Sequence, residues 1–419
     1  MTTKETKDIG LTIPEIKKVL TEFCNMIPPV LQGPDRVTYL LDNIEKLDSN
    51  KRILLRNYLN KLLTGMIEME ASDIELGGHG NGGYIWLRVH GDKERVKEFI
   101  QLNDDEAAVF IINMLNSNQR KHLALTRNLD FSYTFHYTRK NVDVRFRADA
   151  YFDLDSLALN MRAINSTIRP LDSYGFHPNV VRTLSHTYIK NGLTLITGIT
   201  GSGKSTTLDA IVDAHNQIDP AHVVIIASPV EYVHTSKACI IRHREIGRDV
   251  LSFKDGVIQS LRQDPDIIII GEMRDPETIM SALEVTDTGH KVFSTLHTSS
   301  ASETIDRIVA EVNPTEQDRV RHRLADVLVC IVSQKLVPSL DGKRALAKEV
   351  LIVTPSVKAA IKNNNVSEIY MMINQGGPQG MITLEQDLKR LYMSKKISLE
   401  TAIAYANNKT RIHQILSAA

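Results

Sequence analysis

Gly198-Ile199-Thr200-Gly201-Ser202-Gly203-Lys204-Ser205, followed by Thr206, carry the most specific chemistry in this chain, because they fit the pattern G-x-x-x-x-G-K-[ST]. Such a run wraps nucleotide phosphates: glycines let successive backbone N–H groups approach the oxygens, Lys204 bridges the outer two phosphates, and the Ser205 hydroxyl ligates Mg²⁺. Three further side chains have the types that phosphate chemistry uses. Glu231 and Glu272 are carboxylates able to hold the water shell of a metal or to orient an attacking water. His297 is an imidazole able to hydrogen-bond a γ-phosphate and report its presence. Competing structural roles exist for both kinds of residue. Arg274 offers Glu272 an ion pair, and a histidine at a strand end is ordinarily a satisfied polar residue.

The spacing of apolar residues supplies the elements that would bring these groups together. Leu193, Leu195 and Ile196 predict a short buried strand before the glycine loop, and Thr207 to Val212 predict a helix after it. The loop therefore opens a helix N-terminus, which favours anions. Val223–Ala227, Ile267–Ile270 and Val292–Leu296 predict three more buried strands; the first runs out to Glu231, the second ends in Gly271-Glu272 and the third in His297. Buried strands alternating with helices predict an α/β fold with a parallel sheet covered on both faces and its nucleotide chemistry at the carboxyl ends of the strands.

Upstream, the period changes twice. Residues 11–63 carry helical stripes, Val37, Leu40, Leu41, Ile44 and Leu47 in one and Leu54, Leu55, Tyr58, Leu59, Leu62 and Leu63 in another, punctuated by Pro28-Pro29 and Gly33-Pro34. Such stripes read as a hairpin or small bundle that packs a core, in preference to a docking surface. Over residues 72–164, alternation in Ile85–Val89, Leu129–Tyr137 and Val142–Ala148 predicts an antiparallel sheet, with a helix-like stretch from Asp92 to Asn116 covering one face. The Gly77–Gly83 run opens no helix and reads as a hairpin turn, not a phosphate loop. Ser166 to Asp172 reads as a linker, and beyond Pro355 the pattern is helical to the end.

Composition excludes several classes. At 419 residues the chain holds two or three domains, and its 50 Lys+Arg balance 50 Asp+Glu, so no global field points to nucleic acid. Three cysteines, Cys24, Cys239 and Cys330, lie far apart without C-x-x-C spacing, which predicts no zinc site and no disulfide frame. The polar stretch Met1–Asp8 and the short apolar runs, well under the about 20 residues of a membrane span, predict a cytoplasmic protein.

Taken together, Gly198–Thr206, Glu231, Leu261–Asp275 and Gly289–Thr298 resemble the Walker A, Asp-box, Walker B and His-box motifs of the secretion and type IV pilus ATPases. Within that superfamily the chain is most similar to the PilT-type retraction ATPases, since Ala71-Ser72-Asp73-Ile74 resembles their N-terminal Ala-Ser-Asp-Leu signature. Ala359-Ala360-Ile361-Lys362-Asn363-Asn364-Asn365 falls where their C-terminal Ala-Ile-Arg-Asn-Leu-Ile-Arg-Glu stretch lies, with only its start retained. The four-cysteine zinc motif of the assembly ATPases has no counterpart here. The resemblance covers roughly residues 65–410. It implies a RecA-like P-loop NTPase domain preceded by a small α+β PAS-like domain, with an N-terminal helical extension outside the resemblance. The expected boundaries are 1–64 for the extension, 65–165 for the PAS-like domain, 166–174 for a linker, 175–340 for the ATPase core and 341–419 for a mainly helical C-terminal part.

The resemblance further implies ATP and Mg²⁺ as cofactors, a homohexameric ring with ATP between neighbours, and hydrolysis that drives pilus retraction. The implied partners are an inner-membrane pilus platform protein and related pilus ATPases, with no direct nucleic acid and a peripheral place at the inner membrane. Arg145-Phe146-Arg147 resembles the start of the family's Arg-Phe-Arg-Val-Asn stretch, so Arg145 and Arg147 are candidates for a charge supplied to a neighbour's ATP, with simple alternation on a solvated strand as the alternative. One departure matters. Where the family's Asp box reads Glu-Asp-Pro-x-Glu, this chain has Ala227-Ser228-Pro229-Val230-Glu231. Losing two carboxylates predicts slower hydrolysis or looser metal binding, and keeps open a second reading: a nucleotide-gated ring that hydrolyses weakly or not at all and scaffolds a partner ATPase.

Overall fold

A computed structural model describes residues 12–164 and 167–417. The polar stretch Met1–Asp8, residue 11 at the start of the expected helical stripes, and residues 165 and 166 at the expected linker lie outside the described residues. The chain divides into two compact units between residues 166 and 167.

In the first unit, α1 (Ile13–Cys24), α2 (Pro34–Asn43) and α3 (Ser49–Glu68) precede β1 (Ala71–Gly77), β2 (Trp86–Val89) and β3 (Asp92–Arg95). Next come α4 (Asp104–Ile112), α5 (Ser117–Thr126), β4 (Asn128–Tyr137), β5 (Val142–Asp153) and β6 (Ser156–Ala163). Capping explains the helix starts. Asp48 Oδ1 accepts from Asn50 N at 2.9 Å to open α3, and Asn103 with Glu106 forms a reciprocal box that opens α4. The six strands pair antiparallel throughout in the order β3-β2-β1-β6-β5-β4. Alternate residues such as Leu87, Phe146, Ala148 and Met161 face a single hydrophobic core.

Two expectations change here. Asp92–Arg95 begins the stretch read as helix, yet it is a strand: His90 and Gly91 both adopt positive φ, closing a two-residue hairpin from Val89 to Asp92. All four of its residues are exposed and charged, which blunts the sheet edge against further pairing. The helical stripes of the first 64 residues are also not a separate extension. Ile16, Leu20, Leu40, Ile44, Leu59 and Leu63 join the same core as the sheet. The Gly77–Gly83 run connects β1 to β2 as the expected turn.

The second unit begins with α6 (Pro178–Leu184), β7 (Gly192–Thr197), α7 (Lys204–Ile218), β8 (His222–Ala227), β9 (Ile240–Glu245), α8 (Phe253–Ser260) and β10 (Ile267–Ile270). It continues through α9 (Pro276–Asp287), β11 (Lys291–Leu296), α10 (Ala301–Ala310), α11 (Gln317–Val327), β12 (Leu328–Pro338) and β13 (Arg344–Ile352). Five helices close it: α12 (Pro355–Lys362), α13 (Ile369–Gln375), α14 (Leu384–Met393), α15 (Leu399–Tyr405) and α16 (Lys409–Ser417). The seven strands run β13-β12-β7-β11-β10-β8-β9. Neighbours are parallel except β12 and β13, so the sheet is parallel with one antiparallel edge strand. That hairpin corrects the boundary expected at 340, which would cut β13 from its own sheet.

Period-two alternation divides the central strands between two cores. Ile268 and Ile270 face one with Leu193, Leu195, Val224 and Ile226; Ile267 and Ile269 face the other with Ile196, Val223 and Ile225. The closing helices pack Leu384, Leu388, Leu391 and Ile412 against Val337 and Ala347 of the hairpin, so they complete this unit. Among the described residues, no helix is long and apolar enough to cross a membrane.

Candidate nucleotide-binding site

The glycine loop leaves the carboxyl end of β7 and enters α7 at Lys204. Gly198 has φ +150°, and a Cβ there would stand 2.4 Å from both Gln334 O and Ser202 Oγ, so only glycine fits. Gly203, at φ +88°, is the left-handed residue that turns the loop into the helix. Ser202 is buried, and its Oγ has no hydrogen-bond partner among the described residues. A buried unpaired hydroxyl in a glycine loop of this pattern is what a phosphate oxygen satisfies. Ile199, Thr200, Gly201, Ser205 and Thr206 are exposed around it.

Lys204 is buried, and its Nζ donates to Gly198 O at 2.9 Å and Ile199 O at 3.2 Å, with His297 Nδ1 at 3.5 Å. Burial lowers the affinity of this amine for its proton, while the carboxylates of Glu272 and Glu231 act in the opposite direction. Both glutamates therefore act on the Lys204 ammonium. Glu272, one residue beyond β10 and Gly271, is fixed on two sides: His297 Nε2 lies 3.1 Å and Arg274 Nε 2.6 Å from its Oε1. The competing ion pair with Arg274 is present, and it coexists with the facing imidazole.

The ring of His297 thus spans cation and anion. Nδ1 accepts from the ammonium, which leaves the proton on Nε2 to donate to Glu272. Burial, then Lys204, lowers the His297 pKa below its ordinary value, with Glu272 opposing. Thr295 Oγ1 donates to Gly271 O at 2.7 Å, and Met273 N donates to Thr295 O at 3.1 Å, so the ends of β10 and β11 are locked together. Asp275 accepts from Thr278 N at 2.8 Å and opens α9 beside Pro276, ending the Glu272 turn.

Glu231 is placed differently from expectation. β8 stops at Ala227, and Glu231 sits partly buried on the irregular segment that follows. Arg145 and Arg147 belong to the first unit, not to the unit that carries the other candidates. They share the outward face of β5, where Arg145 Nη1 donates to Thr134 Oγ1 at 3.3 Å and Arg147 Nη2 lies 3.5 Å from Asp130 Oδ1.

Two residues unsuspected from the sequence brace the loop from β12. Gln334 Nε2 donates to Ser202 O at 2.9 Å, and its Oε1 accepts from Thr207 Oγ1 at 3.0 Å; Ser333 Oγ accepts from Thr197 Oγ1 at 2.8 Å. The signal that could have found them is a polar pair inside the apolar run Leu328–Leu336, where a buried polar side chain needs a partner.

Residues 48–417 match the Type II/IV secretion system protein family, a span that begins at the N-cap of α3, upstream of the residue 65 expected. The chain is 38% identical over 323 residues to a twitching motility protein of Neisseria gonorrhoeae, covering 77% of this chain and 84% of that protein. It is 37% identical over 344 residues to the type IV pilus retraction ATPase PilT of Pseudomonas aeruginosa, covering 82% and 96%. The crystal structure of the pilus retraction motor PilT with bound ADP matches it with a TM-score of 0.74 at 34% identity, over 84% of this chain and 98% of that one. The ATPase DotB of Legionella pneumophila matches with a TM-score of 0.73 at 26% identity, over 86% and 96%. The glycine loop, the two glutamates and the strand-end histidine thus sit in a fold shared with a nucleotide-bound motor, and the chain belongs to the type II/IV secretion system protein family, in its PilT-like branch.

Proposed function

We propose that this chain is a PilT-like motor ATPase that hydrolyses ATP to drive type IV pilus retraction. The carrying observation is the linkage of Lys204, His297 and Glu272 at the carboxyl edge of one sheet, beside a loop only glycine can form. In this reading the first unit holds the PAS-like domain and the second the RecA-like core. Six copies form a ring with ATP between neighbours, and Arg145 or Arg147 stabilises a neighbour's transition state. The ring works at the cytoplasmic face of the inner membrane, against a pilus platform protein and alongside related pilus ATPases.

Lys204 leaves its loop carbonyls to bind the β- and γ-phosphates, exchanging two neutral acceptors for charged ones. The Ser205 hydroxyl, with Glu231 and Glu272, is an oxygen donor set that suits a hard cation and would hold Mg²⁺ and its waters, and the bound ion would supply charge neutralisation to the phosphates. Glu231 orients or deprotonates the attacking water, Glu272 fixes the hydration of the site through its bonds to His297 and Arg274, and His297 senses the γ-phosphate. The two glutamates can exchange roles.

A steady-state phosphate-release assay on the full chain tests this. Lys204→Ala, Glu231→Gln and Glu272→Gln should each lower turnover at least about a hundredfold, the usual scale for losing a charged group that acts on the transition state. The replacement of two Asp-box acids by Ala227 and Ser228 favours a second reading, the weakly hydrolysing scaffold ring. Wild-type turnover no higher than that of Lys204→Ala would select it.

A further inference from the structure

The segment from Ser228 to Cys239, between β8 and β9, has no regular secondary structure, yet it carries Glu231. A stretch of this kind is mobile unless side chains tie it down. It is tied at points that bracket Glu231. On one side, Val230 N donates to the buried Glu245 carboxylate at 3.1 Å. On the other, His234 N donates to His243 Nε2 at 3.0 Å. Both acceptors belong to β9. The His234 ring is buried, lies edge-on to Tyr232 at 4.7 Å and stacks on His243 at 6.1 Å. Its Nε2 then reaches 3.1 Å to Asp209 Oδ1 on α7.

Asp209 stands five residues after Lys204 on the same helix, about 8 Å along a rigid rod. Farther down α7, Asn216 grips the same segment, donating to Thr235 O at 2.8 Å and accepting from Lys237 N at 2.9 Å. The helix that presents Lys204 therefore holds the segment that presents Glu231. The geometry points to Asp209 and His234, supported by His243, as positioning residues that set Glu231 relative to Lys204, an inference that rests on the role proposed for Glu231 above. With Ala227 and Ser228 where the family has acids, Glu231 is the remaining carboxylate of its motif, so its placement matters more to the site.

Asp209→Ala removes the acceptor, whereas Asp209→Asn keeps an amide oxygen for the His234 Nε2–H. In full-length protein, Asp209→Ala should lower kcat for ATP about tenfold, the lower end of what removing an orienting partner costs, with KM and mant-ADP affinity within about twofold. Asp209→Asn should restore most of the rate. On a Glu231→Gln background, Asp209→Ala should add no further loss, because its effect passes through Glu231. Hydrogen exchange in a peptide spanning 229–235 should speed up in Asp209→Ala and return in Asp209→Asn. Unchanged kcat in Asp209→Ala, a loss that persists in the Glu231→Gln background, or a matching rise in KM would overturn the inference. If Glu231→Gln itself keeps full turnover, the role of Glu231 fails instead. The exchange measurement still judges the latch in that case, and unaltered exchange in Asp209→Ala ends it.

Discussion

His297 stands between an ammonium and a carboxylate, and that position decides its charge. Burial and Lys204 lower its pKa, so near neutral pH the ring is uncharged and Nδ1 is open to accept from Lys204. Because the folded value lies below the unfolded one, lowering the pH through the ordinary histidine range works against the fold, by placing a second positive charge beside Lys204. A γ-phosphate reverses this balance: its negative charge draws Lys204 away and favours the imidazolium. A non-hydrolysable ATP analogue with Mg²⁺ should therefore raise the His297 pKa, read from histidine ring resonances by NMR, and ADP should raise it less. Equal titration in both complexes would remove His297 as a γ-phosphate sensor. This residue was legible beforehand because it follows a buried strand, as were Lys204 and Glu272. Gln334 and His234 were not: their partners lie 127 and 25 residues away in sequence, and only the closed sheet brings them together.

The strands behave in the same way at the scale of elements. β7, β8, β10 and β11 are buried on both faces; β8 and β10 are runs of Val and Ile, and β7 and β11 carry shorter apolar stretches, which local pattern suffices to find. β9 is an edge strand whose last four residues, Arg242-His243-Arg244-Glu245, read as polar surface, although two of those side chains hold the Glu231 segment. β13 was hidden by its mixed composition, and one of its charged residues has a measurable consequence. Burial, with Glu385 nearby, pushes the Glu349 carboxyl up to about 7 from 4.5. The folded chain then keeps a proton that the unfolded chain has lost, so stability falls as pH rises from 4.5 towards 7, and the full penalty remains above that. Glu349→Gln removes the titration and keeps an oxygen for Ala301 N, which Glu349 binds at 2.8 Å. The substitution should stabilise the second unit by about 3 kcal/mol at pH 8.5 and by almost nothing at pH 4.5. Thermal melts at the two pH values check this, and an equal shift at both would mean that the carboxyl does not titrate.

For the whole molecule, the open question is whether the first seventy residues are an attachment or part of the machine. Sequence periodicity showed the stripes but not their destination, because a helix face reads alike whether it packs on its own hairpin or on a distant sheet. The structure sends Ile16, Leu20, Phe23, Leu40, Ile44, Leu55, Leu59, Leu62 and Leu63 into the core that holds Phe110, Phe146 and Met161. Polar ties run along the same contacts: Lys17 pairs with Glu106 of α4, Arg36 with Asp105, and Arg52 Nε donates to Asn113 Oδ1 at 3.1 Å. Each buried apolar side chain contributes about 1.5 to 3 kcal/mol, so removing nine matches or outweighs the about 5 to 15 kcal/mol that separates a typical domain from its unfolded state. A chain truncated to begin at Ala71 should therefore lose fixed packing in its first unit. The single tryptophan, Trp86 on β2, reports this directly: its near-UV circular dichroism should vanish while far-UV signal persists. The second unit, whose cores among the described residues draw on its own side chains, should keep a cooperative melt and bind mant-ADP. Retention of the Trp86 signal with a cooperative first-unit transition would instead make α1 to α3 a detachable arm.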